Sequence, residues 1–321
     1  MASHPTVSVI TPAYNVAPYI GQCIESLQAQ TLADWEMLIV DDASSDETPA
    51  VVQRYLHDPR IRYMRNAQNL GPGATRNRAL DAAQGEWVAI VDADDWIAPE
   101  RLEKLVRFAE AQGVEMVADL QVYRTEWGGV YQVSWATHAK PPKAPRRYTF
   151  EQVIAAHPSF KPLIRRAFLD AKQIRYPTTI RIGEDYAFYV EVLLKGGRFA
   201  LLPEPMYSYR VRPGTTVTRY DVLDERRKAM EYLLQLPETT PRIAGLMRRA
   251  YQRDRAHALY PQFARSVKRG EWRTAIRLLR ESPQVARLLL TGLPSALYRR
   301  LFDREKLIDP WRETIHKEVH R

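Results

Sequence analysis

Residues 88–96, Val-Ala-Ile-Val-Asp-Ala-Asp-Asp-Trp, constrain the fold more than any other stretch of the chain. Four apolar residues run directly into three carboxylates. A run this short and β-branched reads as a buried strand rather than a helix. The carboxylates then lie at the strand's C-terminal end, where open α/β sheets bind ligands. Asp92, Asp94 and Asp95 crowd negative charge, which is unfavourable unless a cation or a proton offsets it. A hard divalent cation with phosphate oxygens suits such a place, because Mg2+ and Mn2+ take oxygen ligands and are often held by one or two carboxylates plus a diphosphate. In isolation a solvated acidic turn would read the same way, so the surrounding sequence has to decide.

That surrounding sequence alternates strand and helix. Residues 7–10 and 37–40 read as strands, the second ending in Asp41-Asp42. Between them Ile20, Cys23, Ile24 and Leu27 fall on one helical face. Thr48-Pro49 reads as an N-cap and first turn, residues 61–64 as a third strand, and Pro99 as the start of a helix burying Leu102, Leu105, Val106 and Ala109. This cadence predicts parallel crossovers and a layered α/β domain. Asn69-Leu70-Gly71-Pro72-Gly73 opens a helix carrying Arg76 and Arg78, a plausible diphosphate cradle or an ordinary tight turn. Further on, residues 114–123 read as a strand, and residues 127–130 as a hairpin turn. Residues 140–147 read as an exposed basic loop, and residues 161–165 as a lead-in to a short helix. Gly183-Glu184-Asp185 opens an amphipathic helix, and residues 199–202 and 207–211 read as two strands separated by Pro-Glu-Pro.

Composition narrows the class. The chain has 321 residues and a single cysteine, Cys23, so no intramolecular disulfide forms. No signal peptide is recognisable, and no run reaches the ~18 apolar residues of a spanning helix; a cytoplasmic protein is expected. The net charge of +9 is uneven. Residues 241–321 hold 19 Lys and Arg against 8 Asp and Glu, and the remainder is near neutral.

Five motifs in order carry a family resemblance: residues 7–15 (Val-Ser-Val-Ile-Thr-Pro-Ala-Tyr-Asn), 39–46 (Ile-Val-Asp-Asp-Ala-Ser-Ser-Asp), 69–77 (Asn-Leu-Gly-Pro-Gly-Ala-Thr-Arg-Asn), 92–95 (Asp-Ala-Asp-Asp) and 183–185 (Gly-Glu-Asp). Residues 7 to about 215 resemble a family-2 glycosyltransferase, of the kind that builds bacterial exopolysaccharide (succinoglycan-type) repeat units. The resemblance implies a GT-A, Rossmann-like α/β fold over residues 1–237, with a nucleotide-binding half to about 112 and an acceptor half over about 113–220. Residues 238–321 would form a basic amphipathic helical extension. It implies a nucleobase pocket at Pro12, Tyr14, Asn15, Asp41 and Asp42, with Asp42 taking the base's imide hydrogen. Asn69, Gly71 and Arg76 would line the nucleotide. Asp92, Ala93 and Asp94 match the Asp-x-Asp motif at ribose and diphosphate, with Asp94 and Asp92 holding Mg2+ or Mn2+. Asp185 matches the catalytic base, with Glu184 beside it. Arg210 and Arg212 are diphosphate candidates; Trp96 and Tyr176 are acceptor candidates. The implied reaction is inverting transfer of one sugar from a nucleotide-diphosphate sugar, a UDP-sugar by this reading, to an acceptor hydroxyl. A polyprenyl-diphosphate-linked glycan is the expected acceptor. The Gln-x-x-Arg-Trp motif of processive synthases is absent, so a non-processive enzyme is expected. The alternative is a non-catalytic sugar-nucleotide binder on the same fold.

The basic tail fits an anionic membrane surface, since helices with Arg on one side and Leu, Ile, Trp and Phe on the other lie on such surfaces. Packing on the catalytic domain or a homodimer would use the same pattern. Nucleic acid is not expected as a partner, for want of a recognisable motif or aromatic ladder.

Overall fold

A computed structural model describes residues 4–125, 129–137, 139–211 and 222–285. Two compact units divide between Thr240 and Pro241.

The first unit is built on one mixed sheet. Strands β1 (Val7–Ala13), β2 (Trp35–Asp41), β3 (Ile61–Arg65) and β4 (Trp87–Ile90) run parallel in the order β3-β2-β1-β4. Strands β6 (Met116–Thr125) and β10 (Phe199–Val211) are parallel to each other. Joining the two groups is β9 (Leu163–Arg165), antiparallel to both β4 and β6. The C-terminal ends of all six parallel strands therefore share one edge. Strand β5 (Trp96–Ile97) pairs antiparallel with β10, β7 (Val130–Ser134) with β6, and β8 (Arg146–Tyr148) with β10.

Period-2 alternation sends side chains to two cores. Val9, Met37, Ile39 and Ala89 face a layer of helices α1 (Ile20–Gln28), α2 (Thr48–Gln53) and α4 (Arg101–Gln112). Ile10, Leu38, Val40 and Val88 face α3 (Pro72–Ala82), α5 (Phe150–Ala156), α6 (Arg166–Ala171) and α7 (Glu184–Leu194). The expected inward faces of α1 and α4 are buried as read.

Four local expectations change. Residues 163–165 form a central strand rather than a lead-in to a helix; three residues are too few to show a period, and Leu163 and Ile164 are both fully buried. Arg146 and Arg147, read as loop, belong to β8. Helix α7 is not amphipathic: Ala187 to Leu193 are all buried, because α8 (Val222–Leu234) covers its other side, with the Tyr232 hydroxyl donating to Glu191 Oε2 at 2.6 Å. Residues 199–211 are one strand, not two. Pro203 and Pro205 are absorbed as register shifts against β6 between Leu201 and Tyr207, since a proline offers the ladder no N–H and is tolerated at a bulge.

In the second unit, α9 (Pro241–Lys268) and α10 (Trp272–Glu281) pack together. Helix α10 buries Ala275 and Leu278 and exposes Trp272 and Ile276. Among the described residues no helix is long and apolar enough to cross a membrane.

A buried ion pair joins helix to sheet beside the upper edge. Arg101, the first residue of α4, holds both oxygens of Asp119 on β6 at 3.0 and 2.9 Å, and also donates to the Lys161 carbonyl at 2.5 Å. Asp119→Ala would leave that guanidinium buried and unpaired, a loss of about 3–5 kcal/mol. Urea denaturation should show it, and Arg101→Met with Asp119→Leu should recover a large part. A single variant within 1 kcal/mol of wild type, on the order of an exposed pair, would contradict this account.

Candidate active site

The shared strand edge collects the acidic motifs. At the end of β2, Asp41 is fully buried: Oδ1 accepts from Ser44 N at 2.8 Å, and Oδ2 accepts from the Tyr63 hydroxyl at 2.6 Å. Asp42 turns the other way and organises the glycine turn. Its Oδ1 accepts from Asn66 Nδ2 and Leu70 N, and its Oδ2 from Gly71 N, each at 2.8 Å. Asp42 thus pins the turn just ahead of α3. The glycines have steric reasons. Gly71 stands at φ +90°, and a Cβ on Gly73 would come within 2.6 Å of the Pro177 carbonyl, so residues 177–183 pass directly over the start of α3.

One turn into α3, Arg76 points inward. Its Nη1 donates to Glu184 Oε1 at 2.5 Å and its Nη2 to Asp92 Oδ1 at 2.8 Å. Lys161 takes the remaining oxygen of Asp92 at 2.7 Å and approaches Asp185 Oδ2 at 3.3 Å. Two buried cations therefore meet three carboxylates. Burial alone would raise Asp92, but Lys161 and Arg76 overcome it and hold its carboxyl well below the usual range. Burial pushes Glu184 the other way, up to about 7, with Asp185 adding to the rise and Arg76 opposing it. Glu184 is thus held toward its protonated, neutral form, which relieves the cluster's surplus of negative charge.

Beyond Asp92, burial and then Asp94 and Asp92 hold the Asp95 carboxyl well above its ordinary value. Asp95 accepts from the Tyr207 hydroxyl at 2.7 Å and from Arg210 N at 2.8 Å, pinning the end of β10. The Arg210 guanidinium donates from Nε to the Asp94 carbonyl at 2.8 Å and from Nη2 to Gln22. It lies between the rings of Tyr19 and Trp96, 4.9 and 4.6 Å from their centroids.

The structure thus brings Arg76, Asp92, Glu184 and Asp185 into one network, with Ala93 and Asp94 following. Gly71 and Asn69 border it through Asp42, whose carbonyl accepts from Asn69 Nδ2 at 3.4 Å. Pro12, Tyr14 and Asn15 lie at the end of β1 beside this turn; Tyr14 is exposed, and Asn15 caps the 44–45 turn by accepting from Ser45 N at 2.8 Å. Some readings shift. Tyr176 is buried, stacked on Phe188 at 3.9 Å and set beneath Arg76, so it supports that guanidinium instead of lining an acceptor surface. Arg210 has a fixed task, shaping the Asp94 turn. Arg212 lies outside the described residues. Lys161 escaped the sequence reading altogether. Its only signal was a lysine inside the apolar run Phe160-Lys161-Pro162-Leu163-Ile164, where a charge needs a partner.

Among the described residues no group of three or more His, Cys, Asp or Glu side chains could by itself hold a metal ion, so a divalent cation would depend on a single carboxylate and the donor's own oxygens. Both oxygens of Asp92 are committed to Arg76 and Lys161, so Asp94 is the carboxylate that would hold Mg2+ or Mn2+ together with diphosphate oxygens.

Comparison with known proteins identifies the family. The profile of glycosyl transferase family 2 matches residues 8–171. The chain is 36% identical over 239 residues to the succinoglycan biosynthesis protein ExoO of Rhizobium meliloti (strain 1021), covering 72% of this chain and 68% of that protein. It is 30% identical over 240 residues to the putative glycosyltransferase EpsH of Bacillus subtilis (strain 168), covering 73% and 68%. Among solved structures, Staphylococcus aureus TarS 1-349 in complex with UDP-GlcNAc superimposes with a TM-score of 0.66 at 25% identity, over 87% of this chain and 81% of that one. The mannosyltransferase PcManGT of Pyrobaculum calidifontis, in complex with GDP-Man and Mn2+, gives a TM-score of 0.61 at 21% identity, over 94% and 83%, a likeness of fold.

Glu184 makes stability depend on pH. A carboxyl raised by folding contributes stability that is complete below its ordinary 4.5 and lost as pH rises through about 7. The melting temperature of the ligand-free protein should fall between pH 5 and pH 8, and Glu184→Gln should flatten that fall. Parallel curves for the two proteins would show that Glu184 ionises at its ordinary value.

Proposed function

The chain belongs to glycosyl transferase family 2, and from that premise we propose that it moves one sugar per encounter from a UDP-sugar to an acceptor hydroxyl, with inversion and with Asp185 as base. The observation that carries this reading is the placement of Asp185. It sits in the first turn of α7, linked through Lys161 to the donor-side Asp92. Its side chain is 33% exposed where Glu184 is 8% exposed and tied to Arg76. Of the two acids it is the one an acceptor can reach.

In this mechanism Asp185 receives the acceptor hydroxyl's proton as the oxygen attacks the anomeric carbon. The bond from that carbon to the diphosphate breaks, and the diphosphate departs with the electron pair. Single displacement inverts the anomer. Mg2+ or Mn2+ bound at Asp94 would neutralise charge developing on the leaving diphosphate. Arg76 and Lys161 keep Asp92 ionised and oriented, and Arg210 holds the Asp94 turn. The uridine preference is supported by the UDP-GlcNAc complex of TarS, and a role in polysaccharide assembly by the names of the relatives. A polyprenyl-diphosphate-linked glycan is the proposed acceptor.

We also place the second unit on an anionic membrane surface. Helix α10 exposes Trp272 and Ile276 one turn apart, with Arg273 and Arg277 beside them. Apolar insertion flanked by guanidinium groups is the interfacial pattern.

Two measurements test these readings. Asp185→Asn should lower transfer by about 10²–10⁴-fold and leave the UDP-induced thermal shift in Mn2+ intact, whereas Asp94→Ala should abolish the part of that shift removed by a chelator. Undiminished turnover in Asp185→Asn would move the base elsewhere, with Glu184 next in line. For the second unit, Trp272→Ser with Ile276→Ser should cut co-sedimentation with phosphatidylglycerol vesicles several-fold. Equal co-sedimentation of the variant and wild type would dismiss α10 as the membrane contact.

A further inference from the structure

Around the turn at residues 69–77, most cationic side chains have fixed partners. Arg76 holds Glu184 and Asp92, and Arg78 holds the Arg65 carbonyl at 2.6 Å and Asn66 Oδ1 at 2.7 Å. Arg181 differs: among the described residues its guanidinium makes no hydrogen bond and no ion pair, and only its backbone N–H is engaged.

Its position is nevertheless tightly built. The N–H groups of Arg181 and Ile182 both donate to Glu225 Oε2, at 2.5 and 3.3 Å. Glu225 is itself buried, with Lys228 on its other oxygen at 2.6 Å. Gly183, at φ +86°, then turns the chain into α7. So clamped, the Arg181 side chain lies directly on Gly71: a Cβ there would stand 1.9 Å from Nη1 and 2.7 Å from Cζ. The missing side chain of Gly71 is the room this guanidinium occupies. The carboxylates nearby are already used, Asp42 by the 70–71 amides and Glu184 by Arg76. What remains is a half-buried fork of N–H donors on a fixed backbone, three residues before Glu184. A guanidinium so placed is organised in advance for two-point binding of a phosphoryl group.

We propose that Arg181 is an anion-binding residue of the active site that takes phosphoryl oxygens of a diphosphate as the reactants assemble. The proposal rests on the donor-site reading of residues 69–77. The diphosphate has two sources, the sugar-nucleotide donor and a prenyl-diphosphate-linked acceptor, and they are separable.

Isothermal titration of the full chain in Mn2+ would use UDP, uridine, geranyl diphosphate and geraniol against wild type, Arg181→Gln and Arg181→Lys. Arg181→Gln should weaken one diphosphate ligand at least tenfold and leave uridine and geraniol unchanged, with Arg181→Lys recovering part of the loss. A loss confined to UDP assigns the donor diphosphate; a loss confined to geranyl diphosphate assigns the acceptor. Gly71→Ala, which puts a methyl group where the guanidinium lies, should reproduce the loss. Unchanged affinities in Arg181→Gln, or an equal loss for uridine, overturn the proposal. If wild type itself binds neither UDP nor uridine, the donor-site reading fails first and takes the proposal with it.

Discussion

The first unit depends on the sharing of one carboxylate between two buried cations. Asp92 gives one oxygen to Arg76 and the other to Lys161. Taking an ammonium and a guanidinium out of water costs several kcal/mol each unless close pairing offsets it. Here the contacts with Asp92 are 2.8 and 2.7 Å, and of the two cations' nitrogens only Arg76 Nε is left, among the described residues, without a partner. The partners come from α3, the end of β4, the approach to β9 and the first turn of α7. Segments near residues 76, 92, 161 and 184 are thereby held to a single geometry. Three acids face two bases, and the imbalance shows at Glu184, whose buried carboxyl is held toward its protonated, neutral form, while Asp185 stays at the solvent margin.

The mixed sheet positions one member of that network. Strand β9 runs antiparallel to β4 and β6, so its start lies at their C-terminal edge. Strand β9 enters from the site side and runs downward, so the residues just before it, Lys161 and Pro162, stand at the upper edge. The backbone of Lys161 is fixed there by Arg101, which is fixed in turn by Asp119. Three short residues of strand thus serve to deliver one ammonium group.

Much of this was legible in the sequence where local pattern and burial agree. Short apolar runs marked β1, β2 and β4, and the spacing of Ile20, Cys23, Ile24 and Leu27 marked the inner face of α1, because burial leaves its pattern in the local sequence. Carboxylates at strand ends marked the edge where the site forms. The reading failed where tertiary contacts alone decide. Leu163 to Arg165 become a strand only because β4 and β6 are available on either side. Tyr176 looks like a loop aromatic until Phe188 and Arg76 enclose it. Asp42 reads as a ligand group, and no local pattern shows that its carboxylate also accepts from the amides of Leu70 and Gly71, some 28 residues away. Lys161 had no motif at all, only the oddity of a charge among apolar neighbours.

The register shift in β10 has an evolutionary side. Below it, Phe199 to Leu202 are locked into the core; above it, Tyr207 and Arg210 meet Asp95 and the Asp94 turn. The irregular Pro203 to Met206 segment separates these two duties along one strand. An insertion or deletion there would change the phase of the upper residues without disturbing the lower ones. Descendants of such a chain have a place where the reactive end can be re-aimed while the foundation is inherited intact.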